Sequence, residues 1–268
     1  MKQKYLWYTD THLDKIAPWT KISFIRRIVK EKPQGVFLTG DISNGLLLKF
    51  DLALLAKMVD CPIYFVLGNH DYHFSSFDNI HDTVKELCYK YPNLIWMSDS
   101  DIVPLTNQVA LIGTEGWYDA RIGEPAYLKA TLDWMLIKDF KDLPSMSDRI
   151  KGFRALAQKS ADFISDKLEK CLEQGYKNIY LLTHFPPWKE ATRDVGTLME
   201  KFWLPYNVNL TLGTTIEGSM VNYPKRHLTV LSGHTHTDAW IHVSRNIECK
   251  VNSAKYYKFI RNEEHIFI

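Results

Sequence analysis

The chain has 268 residues, 46% hydrophobic and 24% charged, which fits a globular protein with one large core. Lys and Arg number 33 against 31 Asp and Glu with no long like-charge run, so the surface carries no strong field of one sign and nucleic acid is not an expected partner. The apolar runs are too short to span a bilayer, and the opening MKQKYLWYTD lacks the apolar segment of a secretion signal, so no membrane partner is expected. Cys61, Cys88, Cys171 and Cys249 are scattered without a CxxC pair, which points to a reducing cytoplasm. No Pro-, Gly- or Ser-rich run separates two patterned regions, so residues 1–268 are expected to form a single domain.

In chain order, the first apolar run, YLWY, leads to Asp10 and His12. The second, GVFLT, leads to Gly40-Asp41, and the third, IYFVL, to Gly68-Asn69-His70-Asp71. Residues 22–30, 46–59 and 77–89 have the apolar spacing of helices packed on a sheet. A further strand is expected at 109–113, followed by a helical excursion over about 114–175 with helix-like stretches near 125–140 and 147–173. Residues 178–182 then lead to His184 and the rigid Phe185-Pro186-Pro187, and LTVLS leads to Gly233-His234-Thr235-His236. Strand-like stretches at 239–243, 247–251, 256–260 and 265–268 close the chain, and a second sheet packed on the first would accommodate them.

Strands alternating with helices predict an α/β fold with a largely parallel sheet. In such sheets ligands collect beyond the carboxyl ends of the strands, where all five polar motifs fall. Strand ends are polar in any protein, but turns favour Gly, Asn, Asp, Ser and Pro. Here His recurs at 12, 70, 184, 234 and 236, half of the 10 in the chain.

Asp10 and His12 are two apart, so a continuing extended backbone would turn both to one face. Asp-x-His alone is weak, because an Asp after a strand is often a helix N-cap. Gly-Asn-His-Asp is far more specific, since carboxamide, imidazole and carboxylate follow one another in one sharp turn. Gly233-His234-Thr235-His236 adds two imidazoles beside a glycine. The oxygen and nitrogen donors, without a thiolate, suit Mn, Fe or Zn. One ion cannot use them all, whereas two ions about 3.5–4 Å apart, sharing one carboxylate, can clamp both oxygens of an in-line displacement.

The ordered set DxH, GD, GNHD, H and GHTH, from Asp10 to His236, resembles the calcineurin-like metallophosphoesterase superfamily. The resemblance implies a four-layer αββα sandwich of two mixed sheets flanked by helices. It also implies that Asp10, His12, Asp41 and His236 hold one ion and that Asp41, Asn69, His184 and His234 hold the other. The cofactors would then be two divalent ions, the nucleophile a metal-bound hydroxide, and the substrate a small phosphoester. His70 would lie over the site and act on the phosphate or the leaving oxygen, with Asp71 and Asn44 as further catalytic candidates. The motifs GNHD and HFPP look more like the cyclic-nucleotide phosphodiesterase branch. Phosphoprotein phosphatases of the superfamily carry GDxxDRG and GNHE, whereas Asn44 stands here in place of an acid and the Arg is absent. Phosphoprotein phosphatases and nucleases of the superfamily, and a non-catalytic metal-binding scaffold, are the alternatives.

Outside the motifs, Tyr72, His73, Trp117, Tyr118 and Arg121 either line a substrate pocket or pack the core. Residues 188–223 are expected to overhang the site, with Arg193 as a phosphate partner. His81, His227, His242 and His265 read as ordinary surface or core residues.

Overall fold

A computed structural model of the chain describes residues 2–123, 131–192, 200–254 and 263–268. The first half alternates as expected: β1 (Lys4–Tyr8), α1 (Pro18–Glu31), β2 (Gly35–Thr39), α2 (Leu48–Met58), β3 (Ile63–Val66) and α3 (Phe77–Lys90). The starts of α1 and α3 have local causes. Pro18 at the first position of α1 has its fixed φ ready for a helix, and the Ser76 hydroxyl accepts from the Asn79 N–H at the start of α3.

Two short strands, β4 (Leu94–Trp96) and β5 (Val103–Pro104), precede β6 (Val109–Thr114). In the described part of the helical excursion lie α4 (Asp133–Leu136), α5 (Lys138–Lys141) and α6 (Met146–Glu173). The expected helix near 125–140 is therefore two short turns in its described portion, while the one at 147–173 is a single helix of 28 residues. After β7 (Asn178–Thr183) come α7 (Glu200–Asn207), α8 (Leu210–Met220), β8 (His227–Ser232), β9 (Ala239–Ser244), β10 (Ile247–Val251) and β11 (Glu264–Phe267). The expected strand at 256–260 and the candidate phosphate partner Arg193 lie outside the described residues.

The strands form two mixed sheets, ordered β11-β1-β2-β3-β4 and β5-β6-β7-β8-β10-β9. In the first, β1 to β4 are parallel and β11 joins antiparallel; in the second, β6, β7, β8 and β10 are parallel, with β5 and β9 antiparallel at the edges. The period of two along each strand builds the layers. On β1, Tyr5 and Trp7 face the second sheet and pack with Phe37, Val66, Leu111, Leu182 and Leu231. Leu6 and Tyr8 point the other way, into a cluster with Phe24, Ile25 and Leu52 from α1 and α2. On the far side of the second sheet, Ile112, Ile179 and Val230 pack with Ile164 and Leu168 of α6 and Ile216 of α8. Helices, sheet, sheet and helices thus make the αββα sandwich.

The C-terminal strands do not all enter the second sheet as expected. β11 returns to the edge of the first, with Leu6 opposite His265. Pairing there gives the β1 edge a partner for its free N–H and C=O groups. Among the described residues no helix is long and apolar enough to cross a membrane, and all four cysteines are free.

Candidate metal centre

The five strands that precede the motifs, β1, β2, β3, β7 and β8, are parallel within their sheets, so their carboxyl ends open on one side. There the chain turns sharply. Asp10, His12, Asp41, His234 and His236 all have positive φ, between 40° and 68°, in the left-handed region. That conformation costs a residue with a Cβ roughly 1–2 kcal/mol, and Asp and His tolerate it better than branched side chains do. Asp10 and His12 therefore converge through a left-handed turn and not along an extended strand, a correction to the expected geometry.

Neighbouring loops hold these turns. The N–H groups of Asp10 and His12 donate to the carbonyls of Gly40 and Asp41, each at 3.0 Å. The His70 N–H donates to Asp41 Oδ1 at 2.9 Å, and the His234 N–H donates to Asp10 Oδ2 at 3.0 Å, which ties the first sheet to the second. Gly233 N–H donates to the His184 carbonyl at 3.0 Å.

Two groups of side chains result, each with one ligand atom per residue within 4.8 Å of the others. Asp10, His12, Asp41 and His236 form one, and Asp41, His184 and His234 form the other. Asp41 lies between them: its Oδ2 is 3.7 Å from His12 Nε2, and its Oδ1 is 3.4 Å from His184 Nε2. Asn69 joins the second group, with Oδ1 3.2 Å from His184 Nε2. All seven expected ligands are brought together.

The tautomers suit a metal. His184 Nδ1 lies 2.8 Å from the Thr39 carbonyl, and His234 Nε2 lies 3.0 Å from the Tyr206 carbonyl. A carbonyl only accepts, so these nitrogens carry the protons and the opposite ring nitrogens, His184 Nε2 and His234 Nδ1, offer lone pairs. Burial, the largest influence on each, holds His12 and His184 below their ordinary pKa, and burial with the neighbouring His184 brings His234 down to about 3. Neutral imidazoles are the form that binds a divalent ion. His236 is the exception: burial pulls it down, but Asp10, 3.1 Å away, outweighs this and raises it.

Burial would also raise both carboxylates. At Asp10 the imidazoles of His236, His184 and His12 win and hold it low, whereas burial and the charge of Asp10 push Asp41 well up. Asp10 has His236 as a partner, but Asp41, buried beside Asp10, lacks a counter-charge of its own, and divalent cations supply one. The donor set therefore fits the metal that its residue types suggest.

The three catalytic candidates separate. His70 stands at the opening, with its side chain 21% exposed and Nε2 3.9 Å from Asp41 Oδ2. Asp71 is fully buried; its carboxylate accepts from the N–H groups of Gly68 and Ser43 at 2.8 Å and of Ile42 at 3.3 Å, which locks the loop after β2 to the loop after β3. Asn44 Nδ2 donates to Asp14, and its Oδ1 accepts from Leu46 and Leu47 at the entry to α2. The structure gives Asp71 and Asn44 scaffolding contacts in place of the reactive position expected of them.

Tyr72 and Trp117 are buried yet border a cavity of about 210 Å³ together with His81, Trp96 and Glu115, whereas Tyr118 packs in the core and Arg121 Nε donates to Thr211. Within the described part of the stretch expected to overhang the site, α8 packs against α6 and not over the centre, while the carbonyl of Tyr206 does reach it. Sequence reasoning missed that carbonyl, that of Thr39, and the buried Asp133. A backbone carbonyl leaves no mark in a sequence, and a lone Asp in a helix-like stretch reads as a solvated face.

The fold and the ligand cluster are those of the metallophosphoesterase class. The family model described as calcineurin-like phosphoesterase matches residues 4–238, and the chain belongs to that family, whose members use divalent metals. An uncharacterised protein of Acanthamoeba polyphaga mimivirus is 25% identical over 196 residues, 67% of this chain and 66% of the relative, so the match spans slightly under two thirds of the relative's length. Among solved structures, the phosphopantetheinyl hydrolase of Mycobacterium tuberculosis superposes with a TM-score of 0.67 at 13% identity, covering 95% of this chain and 90% of that one. A dimetal phosphatase of Danio rerio superposes with a TM-score of 0.56 at 12% identity, covering 94% and 87%. At such identities these two matches show the fold.

Proposed function

We propose that the chain hydrolyses a small phosphodiester or phosphomonoester with two divalent ions, Mn, Fe or Zn, held by the seven side chains above. The position of Asp41, with one oxygen toward each ligand group, carries this reading. Asp10, His12, Asp41 and His236 would hold the first ion, and Asp41, Asn69, His184 and His234 the second. Bound there, the ions supply positive charge for an anionic phosphate and a water acidic enough to act as nucleophile near neutral pH.

The chain's own residues do the rest. His184 and His234, anchored on Thr39 and Tyr206, keep their free nitrogens aimed inward, so little reorganisation is needed as charge develops. His70, partly exposed at the opening with Nε2 toward Asp41, is placed to hydrogen-bond or protonate the departing oxygen. No covalent phosphoenzyme is required. His70→Ala is expected to lower kcat by about a hundredfold or more while elemental analysis still finds both metals. Unchanged kcat would remove His70 from the reaction.

The near-balanced charge favours a small substrate over nucleic acid, because a nuclease would need a basic groove for phosphate contacts. The commitment of Asn44 to Asp14, Leu46 and Leu47 counts against the phosphoprotein phosphatase branch. Free thiols at all four cysteines fit the cytoplasm. Turnover of an aryl phosphodiester against the matching monoester, under saturating Mn, tests the substrate class. A diester preference is expected; clear preference for the monoester would overturn it, and inertness to both with metal bound would favour the scaffold reading.

A further inference from the structure

Asp133, at the start of α4, brings a buried carboxylate from the helical excursion to the edge of the metal centre. It has 3% of its surface exposed, and three side chains donate to it. Asn69 Nδ2 and His73 Nε2 both reach Oδ1 at 2.8 Å, and the Tyr118 hydroxyl reaches Oδ2 at 3.2 Å. Thr131 accepts from the Asp133 N–H at 3.1 Å, and the Phe74 N–H donates to the Leu136 carbonyl at 2.7 Å, so α4 is fastened to the turn that follows Gly-Asn-His-Asp.

The consequence follows from hydrogen-bond inventory. An ionised carboxylate only accepts, so the Asn69 atom facing it must be the NH2 group. The amide is planar, and its oxygen must then face the opposite way, where it lies 3.2 Å from His184 Nε2. A carboxamide free to rotate would offer an ion a donor as readily as an acceptor. The same carboxylate oxygen fixes the His73 ring, whose centroid lies 4.4 Å from that of His70.

We infer that Asp133 is a positioning residue of the metal centre: its carboxylate fixes Asn69 with Oδ1 turned toward Asp41, His184 and His234, and so completes the second metal site. This rests on the two-ion reading above. Asp133 does not touch substrate. It acts through Asn69, as partners behind metal ligands do elsewhere, where their loss weakens metal binding about 10–100-fold.

The test is Mn binding to the full chain, followed by calorimetry, with the melting temperature of the metal-free protein as a second readout. In wild type two sites are expected. Asp133→Asn, whose amide can face Asn69 with either end, is expected to weaken one site about 10–100-fold and leave the other unchanged. Combined with Asn69→Ala, it is expected to add no further loss, because the group it acts through is gone. Tyr118→Phe, which removes a donor from the other carboxylate oxygen, is expected to lower the melting temperature with both affinities retained.

If Asp133→Asn does not fold, Asp133→Glu keeps the charge but displaces the acceptor by one methylene, and the same one-site loss is expected. Equal losses at both sites, unchanged affinities, or a further loss on top of Asn69→Ala would overturn the positioning role. A wild-type protein that binds a single ion would instead overturn the two-ion reading, which separates the two failures.

Discussion

Asp41→Asn is expected to abolish the dinuclear centre and turnover together, with kcat falling at least about a thousandfold, on the order of 4 kcal/mol of transition-state stabilisation. The isosteric amide keeps the volume, and its oxygen can still accept from the His70 N–H. It cannot present an anionic oxygen to both ligand groups, as Asp41 does to His12 on one side and His184 on the other. Burial and the charge of Asp10 already press this carboxylate toward its neutral form, so the apo protein should tolerate the change or gain from it. Elemental analysis, kcat and melting temperature measured together distinguish this from unfolding. Normal turnover in the variant would remove Asp41 from its shared position.

The second large effect is expected at Gly68. A Cβ there would overlap Asp41 Oδ1 and lie 2.5 Å from the Asp41 N and 2.7 Å from His184 Nε2. The Asp41 N is backbone, and Asp41 Oδ1 and the His184 ring are held by hydrogen bonds to the His70 N–H and the Thr39 carbonyl, so the ligands themselves must move. Gly68→Ala is expected to remove metal binding and to cost about 1–3 kcal/mol of stability, as overpacking does. Gly218, on α8 with nothing within 4 Å of its Cβ position, is the control. Gly218→Ala should retain both metals and raise stability by roughly 0.5–1 kcal/mol. Metal titration and thermal melts of the two variants decide the matter; full metal content in Gly68→Ala would contradict the close approach.

Much of this centre was legible in the sequence because strand periodicity and residue identity point the same way. Each of β1, β2, β3, β7 and β8 is a short apolar run that stops within a few residues of a ligand, and histidine recurs where turns would otherwise favour glycine, serine or proline. The helices α1 to α3 were legible for the same reason, within four residues at each end. The division of strands between sheets was not legible. β11 alternates like any edge strand, and nothing local says that it pairs with β1 and not with its neighbours in sequence. β4 and β5, at three and two residues, are too short to carry a period.

The left-handed turns at the ligands were equally hidden, because sequence spacing gives separation along the chain and not the φ values that fold it back. Asp71 shows the opposite error. Its place inside Gly-Asn-His-Asp suggested chemistry, whereas its carboxylate is the knot beneath the two loops, accepting three backbone N–H groups. Asp133 belongs to no motif and comes from the segment where the strand pattern lapses, so only the folded chain brings it beside Asn69.

The most direct test of a centre shared through Asp41 is anomalous diffraction from crystals soaked in manganese. Two peaks about 3.5–4 Å apart, one toward His12 and His236 and one toward His184 and His234, are the expected result. A single peak, or a pair that Asp41 does not lie between, would contradict it.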